Sequence, residues 1–241
     1  MFLRFIGLCF LLAVFVSPGR AADEAPPWLQ QDASVKIPIY NKDVPAVVLR
    51  DEQSVTVSDD GRVTTVTTFA VRILTREGRD YAEAAERYLT KSGKVRELHA
   101  WLIRANGVVK KYDKDDIVDR ISDPNDIYDE YRIKVIDGSR DADSGVVFGY
   151  QSISEEHPLF SQDIWQFRAG CRPIVSRYSL ALPSGWRATS VTFNHNKVEP
   201  ERQRLKLHVG IARPGADQAG ACQSEGQQSG SVAGGQLFHG R

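Results

Sequence analysis

Between residues 47 and 193 hydrophobic and polar positions alternate with a period of two, the pattern of strands with one buried face. Val47 to Val57 and Val63 to Thr75 flank Ser58-Asp59-Asp60-Gly61. Asp-Gly between two apolar runs predicts a hairpin. Val63, Thr65, Thr67, Phe69, Val71 and Ile73 fall on one side of the second run, so that side is expected in the core. Alternation returns at Val95 to Arg104, and Asn106-Gly107 turns the chain into Val108 to Tyr112. Further strands are expected at Tyr131 to Ile136, Val146 to Ile153, Ile174 to Leu182 and Trp186 to Phe193. Pro183-Ser184-Gly185 reads as the turn of a last hairpin.

One stretch changes period. In Asp80 to Leu89, Tyr81, Ala84/Ala85 and Tyr88 recur at three and four, with Glu83, Glu86 and Arg87 between them. The spacing predicts a short amphipathic helix capped by Asp80. The fold class expected from these elements is mainly β: an antiparallel β-sandwich or strongly bent sheet with one short helix.

Composition then sets boundaries. Residues 46–200 are enough for one domain with a real core and hardly for two. Residues 22–45 hold Pro26, Pro27, Pro38 and Pro45 with little periodicity and read as an extended leader or linker against which Trp28 tucks. Residues 201–241 carry eight of the 19 glycines, six glutamines and one aromatic, Phe238. So little periodic apolar content does not offset the entropy of ordering, and a disordered tail is expected there.

The first 21 residues read as a secretory signal peptide. Arg4 precedes an apolar run from Phe5 to Val16, Ser17-Pro18-Gly19 breaks it, and Gly19 and Ala21 place small residues at −3 and −1 of a cut between Ala21 and Ala22. The run is too short for a stable membrane anchor, so an exported protein, periplasmic or secreted, is expected. Cys9 lies inside the apolar run and not at its end, which excludes a lipidated cysteine. Removing the segment takes away Arg4 and Arg20 and leaves 29 basic against 31 acidic groups, a net charge of −2. Such a balance provides no field for nucleic acid. Cys171 and Cys222 are the cysteines left. An exported chain can oxidise a pair, but with Cys222 in the tail the expectation is a lone, partly buried Cys171.

No motif carries recognisable chemistry. Acidic groups cluster at Asp113, Asp115, Asp116 and Asp119, at Asp123, Asn125, Asp126, Asp129 and Glu130, and at Asp137, Ser139, Asp141 and Asp143. The third cluster has oxygen ligands at alternate positions, as calcium loops do. Ala142 stands where the turn glycine belongs, however, and no glutamate closes the loop, so solvated turn carboxylates are the default. His99, His157, His195, His208 and His239 lack the spacing of a zinc site. His99 lies mid-strand beside Trp101 and reads as half-buried and structural; His195 falls in an exposed Asn-His-Asn turn.

Catalysis is equally unsupported. No G-x-S-x-G frame occurs, and Cys171 beside Arg172 has no helix N-terminus to activate it. Trp165, Phe167, Trp186 and Phe193 are read as core, with a stacking platform for sugars or peptides as the alternative. No catalytic, cofactor-binding or metal-ligating residue and no cofactor is assigned; the signal cleavage pair Ala21 and Ala22 is the only site.

Four strings carry a resemblance: DEQSVTVSDDGRVTTVTTFAVRILTREGR at 51–79, GKVRELHAWLIRANGVVKKY at 93–112, VVFGY at 146–150 and SRYSLALPSGWRATSVTFNH at 176–195. Over 45–200 the chain resembles the uncharacterised bacterial domain of unknown function 3857, which commonly precedes a transglutaminase-like domain in exported proteins. The resemblance implies a β-rich fold, export, a non-catalytic N-terminal role and a transglutaminase-like partner in cis, and it brings no site residues. Cys171 falls where the resemblance implies another residue type.

The resemblance also implies that a Trp-Glu-Leu-Arg strand follows residue 195, which this chain lacks. The segment from Val209 to Gln218 can be encoded as GTG GGA ATT GCG AGA CCT GGC GCC GAT CAG. Read one base later, the same bases give WELRDLAPI. The expectation is therefore a frameshift near 200–201, with an out-of-frame tail and a missing transglutaminase-like domain downstream. The functional reading is an exported accessory or interaction domain. The alternatives are an independent peptide- or glycan-binding module and, third, a hydrolase using Cys171 or His195.

Overall fold

The computed structural model describes residues 24–123, 125, 130–158, 162–166, 173–193, 201–203, 206–210, 222 and 235–240. The expected signal segment, including Ala21 and Ala22, lies outside them. Among the described residues no helix is long and apolar enough to cross a membrane.

In chain order the elements are α1 (Pro27–Ala33), β1 (Ala46–Val57), β2 (Val63–Ile73), a 3-10 helix (Arg76–Tyr81), β3 (Glu83–Leu89), β4 (Gly93–Ile103) and β5 (Val109–Tyr112). A second 3-10 turn (Lys114–Asp116) leads to β6 (Val118–Ile121), β7 (Tyr131–Asp137), β8 (Val147–Glu156), β9 (Gln162–Gln166), β10 (Val175–Ala181) and β11 (Ala188–Phe193). Short strands β12 (Glu201–Gln203), β13 (Lys206–Gly210) and β14 (Gly235–Gly240) follow.

Eight strands form one sheet in the order β12-β13-β10-β1-β2-β8-β4-β5; β3-β7-β6 and β11-β14-β9 form two smaller ones. The mainly β fold expected from the sequence is what the chain adopts. Among the described residues its pairings are antiparallel with one exception, β1 beside β10, which run parallel from Arg50↔Val175 to Thr56↔Ala181.

The hairpins sit where turn chemistry places them. Gly61 (φ 80) and Gly107 (φ 82) take the left-handed conformation that closes the β1–β2 and β4–β5 turns, a geometry glycine adopts without steric penalty. The β1–β2 pairing slips at Leu49, between Val48↔Val71 and Arg50↔Ala70. This bulge exchanges the two faces of β1. Val48 lies in the core under β3, and beyond the slip Asp51, Val55 and Val57 occupy that same side, opposite Phe69, Thr65 and Val63.

Four expectations are corrected. Asp80–Leu89 is not a helix: a 3-10 helix ends at Tyr81 and β3 follows, pairing with β7 from Glu83↔Asp137 to Leu89↔Tyr131. Ala, Glu, Arg and Leu are good helix formers, but Ala82 and Ala84 bury completely against the large sheet, and tertiary pairing overrides local propensity. Pro183-Ser184-Gly185 does turn, with Trp186 N–H donating to Pro183 O at 3.2 Å, yet it joins no hairpin. The flanking strands enter different sheets, β10 beside β1 and β11 beside β14.

Residues 24–45 are not an extended linker. Pro26 and Pro27 start α1, where a missing N–H costs nothing, and Leu29 and Asp32 bury on the far face of the large sheet. Leu29 is fully buried, packed where Gly149 of β8 has no side chain; a Cβ there would lie 2.5 Å from its Cδ1. The Asp32 carboxylate takes a two-pronged bond from Arg50, Nε to Oδ2 at 2.6 Å and a terminal nitrogen to Oδ1 at 2.9 Å. Arg72 donates to Ala33 O and Val35 O at 2.6 and 3.1 Å, and Trp28 meets Trp101 edge-on at 6.4 Å.

The stretch expected as a structureless tail contributes β12, β13 and β14. Cys222 is buried, disulfide-bonded, and donates its N–H to Ala46 O at 2.9 Å. Its partner cysteine lies outside the described residues, as does Cys171. Strand pairing supplied by β10, β9 and β11, and not local periodicity, gives these segments their regular backbone.

Candidate functional site

The acidic loops are knitted into local structure. Asp113 and Asp116 cap each other's backbone around the 3-10 turn. Asp137 Oδ1 accepts the Ser139 N–H at 2.9 Å, and Asp141 accepts Lys110 Nζ at 2.5 Å and Tyr112 Oη at 3.1 Å. Burial alone would raise the Asp141 pKa, but these donors and the Arg104 charge hold it below the usual range. The supposed calcium loop thus has its central carboxylate bonded to a lysine. Among the described residues no three His, Cys, Asp or Glu side chains are grouped to hold a metal. His99 is half-buried, 6.0 Å from the Trp101 ring and 3.3 Å from Glu97. Cys171, His195, Phe167 and the side chains of Trp165, Phe193, His208 and His239 lie outside what is described.

Two features stand apart. The first is a cavity of about 240 Å³ at the end of the inter-sheet layer. The β3-β7-β6 sheet covers the large sheet over Phe69, Val71, Leu98 and Phe148, and this core stops short of the β1–β2 turn. Beyond it Val55, Val57 and Leu180 floor the cavity with Leu182 and Trp186, whose packing also includes fully buried Tyr178.

The wall is set by β3. Period two carries the inward row from Ala82 and Ala84 to Glu86, which therefore points between the sheets. Ser152 Oγ, fully buried on β8, donates to Glu86 Oε2 at 2.6 Å. Burial raises the Glu86 pKa, opposed by the hydroxyls of Ser152 and Ser154. Across the cavity the Tyr178 hydroxyl donates to Asp163 Oδ2 at 2.7 Å. Burial first and the Asp163 charge second push the phenol far above its ordinary pKa. Sequence reading passed over Glu86 because a helical pattern sent it to solvent; the Ala82-Ala84-Glu86-Tyr88 alternation is the signal that locates it.

The second feature is β6. It ends its sheet, paired only with β7 among the described residues (Val118↔Val135 to Ile121↔Arg132), and all four of its residues are exposed. Val118 and Ile121 show 57% and 49% of their surface, unusual for β-branched side chains on an open strand edge. The strand is held by Asp119, which bonds Arg132 at 2.8 Å and Tyr88 at 2.8 Å. Polar residues around β6 hid it in the sequence.

The family model of a domain of unknown function with a solved structure, DUF3857, matches residues 59–211. No curated protein matches the sequence. Among solved structures, one named "putative protease" from Parabacteroides distasonis shares the fold with a TM-score of 0.63 at 11% identity, over 81% of this chain and 40% of that one. A yeast LTA4 hydrolase in complex with bestatin aligns at TM-score 0.37 and 10% identity, over 89% of this chain and 33% of that one. An M1 zinc metallopeptidase from Deinococcus radiodurans aligns at TM-score 0.35 and 10% identity, over 81% and 42%. This chain therefore spans less than half the length of each of these proteins.

Proposed function

The chain belongs to the DUF3857 family, and on that premise we propose that it is an exported, non-catalytic accessory domain that docks a transglutaminase-like domain through the edge of β6 that no strand covers among the described residues. The observation that carries this reading is the open, wholly exposed strand with Val118 and Ile121 on it. An edge of this kind offers unpaired backbone donors and acceptors to an added strand, with apolar side chains to fix its register. The perturbed acids and phenols bond to structural partners: Glu86 to Ser152, Tyr178 to Asp163, Asp141 to Lys110. The hydroxyls that donate to Glu86 and Asp163 belong to Ser152 and Tyr178, both with no exposed surface, so neither pair presents an accessible nucleophile. Export rests on the leader pattern of residues 1–21. The Parabacteroides distasonis structure carries this fold over 40% of its length, so the fold is compatible with service as one part of a longer protein.

The nucleotide sequence through and beyond codon 241 tests the pairing. An alternative frame that opens into a long coding stretch with separated Cys, His and Asp in transglutaminase-like order is expected; early stops in that frame contradict it. Where the domain is present, Val118→Lys and Ile121→Lys weaken its binding to this chain by roughly tenfold or more, as loss of a central apolar anchor does. A second reading, an independent peptide- or glycan-binding module, is favoured by the cavity beside Glu86. Peptide or glycan binding there by a chain that shows no binding to a transglutaminase-like domain selects it.

A further inference from the structure

We propose that the cavity beside Glu86 is a pocket for the side chain of a lysine on a peptide partner, the ammonium held by the Glu86 carboxylate and the stem laid along Val55, Val57 and Leu180. Size argues for one side chain: about 240 Å³ is below the roughly 300–1,000 Å³ typical of small-molecule sites. Shape and polarity argue for an amphipathic one, since the floor is aliphatic and the carboxylate stands at its wall.

Charge decides the sign of the ligand. The charged residues lining the cavity are Glu86, Glu156, Asp163 and Arg87. Arg87 lines the rim, but its guanidinium is engaged by Tyr131, its carbon 3.9 Å from the ring centre. Lys134, the cross-strand neighbour of Glu86, sends its ammonium to Val95 O at 3.1 Å. Glu86 is thus a desolvated carboxylate served by hydroxyls and, among the described residues, by no cation. A buried charge of this kind gains most from a counter-charge delivered by a ligand. Lysine fits better than arginine. With the Ser152 and Ser154 hydroxyls already on the carboxylate, it does not present two open oxygens to a planar fork, whereas a point charge needs only one remaining lone pair.

The inference does not depend on docking at β6, so its failure leaves that edge untouched. The test is calorimetric titration of the full mature chain with the peptide Ac-Ala-Lys-Ala-NH2, and with analogues carrying norleucine or Nε-acetyl-lysine in place of lysine. The lysine peptide is expected to bind at least about tenfold more tightly than either analogue, the scale of a charge-assisted hydrogen bond. Glu86→Gln, which keeps the side-chain volume, removes that preference, while Glu156→Gln at the exposed end leaves most of it. No binding, equal binding of the norleucine peptide to the unmodified chain, or a lysine preference that survives Glu86→Gln overturns the proposal.

Discussion

If the N-terminal helix is an integral part of the domain, its seat on Gly149 behaves as one joint shared by two residues. Leu29 has no exposed surface, and its Cδ1 and Cδ2 lie 2.5 and 3.0 Å from where a Cβ on Gly149 would sit. Leu29→Ala removes the buried isopropyl end of the side chain, Cγ with its two methyl groups. The helix is also tied down by Arg50–Asp32 and by Arg72 on two carbonyls, so it does not slide in to fill the gap. A loss of about 3 kcal/mol follows, within the range for buried leucines that leave a cavity. Thermal unfolding should fall by roughly 6–12 °C for a domain of this size. Gly149→Ala forces a methyl group into Leu29 and, at 3.1 Å, towards Phe69 O, for a loss of roughly 1–3 kcal/mol.

The double variant is the informative one. The methyl group introduced by Gly149→Ala then enters space that Leu29 has vacated, so the double variant's loss is expected to fall short of the sum of the two single losses by about 1–2 kcal/mol. Urea titrations of the four proteins, with unchanged m-values, read the coupling directly. Additivity within about 0.5 kcal/mol would refute the packing argument, because it would mean the two positions do not share a contact.

Glu86 and Asp141 give opposite pH signatures. The folded-state pKa of Glu86 lies above its unfolded value, so its contribution is fully present below the ordinary glutamate range and is lost as pH rises through the raised value. Glu86→Gln should therefore flatten the decline in stability towards neutral pH; an unchanged pH–stability curve contradicts the burial of this carboxyl. Asp141 has a depressed pKa, so its contribution is present above the ordinary aspartate range and is lost as pH falls through the depressed value. Asp141→Asn should lower the urea midpoint at neutral pH and approach the parent in acid. Equal midpoints at neutral pH would show that the Lys110 and Tyr112 bonds contribute nothing.

What the sequence disclosed was what local chemistry governs. Asp60-Gly61 and Asn106-Gly107 turn because their glycines take positive φ, and the Val63-to-Ile73 alternation marks a buried face without knowledge of a partner. What stayed hidden depends on distant partners. β3 carries helix-forming residues and becomes a strand because β7 supplies its hydrogen bonds and Ala82 and Ala84 need a small contact surface. β10 crosses to lie parallel to β1, and no local signal announces a pairing over so many residues. The cavity follows from both: once β3 is a strand Glu86 faces inward, and once β10 lies beside β1, Tyr178 and Leu180 close the floor. β6 was illegible because a strand with every residue exposed has no alternation to read.

The central claim is that β6 is the docking edge, and amide hydrogen exchange across residues 118–121 tests it most directly. In the free chain the amides of β6 that point away from β7 should exchange quickly, as edge amides open to water do. Addition of a transglutaminase-like domain should slow those same amides, with no comparable change in the edge strand β5. Binding of that domain with β6 exchange unchanged, or with protection appearing at β5 instead, would contradict the account.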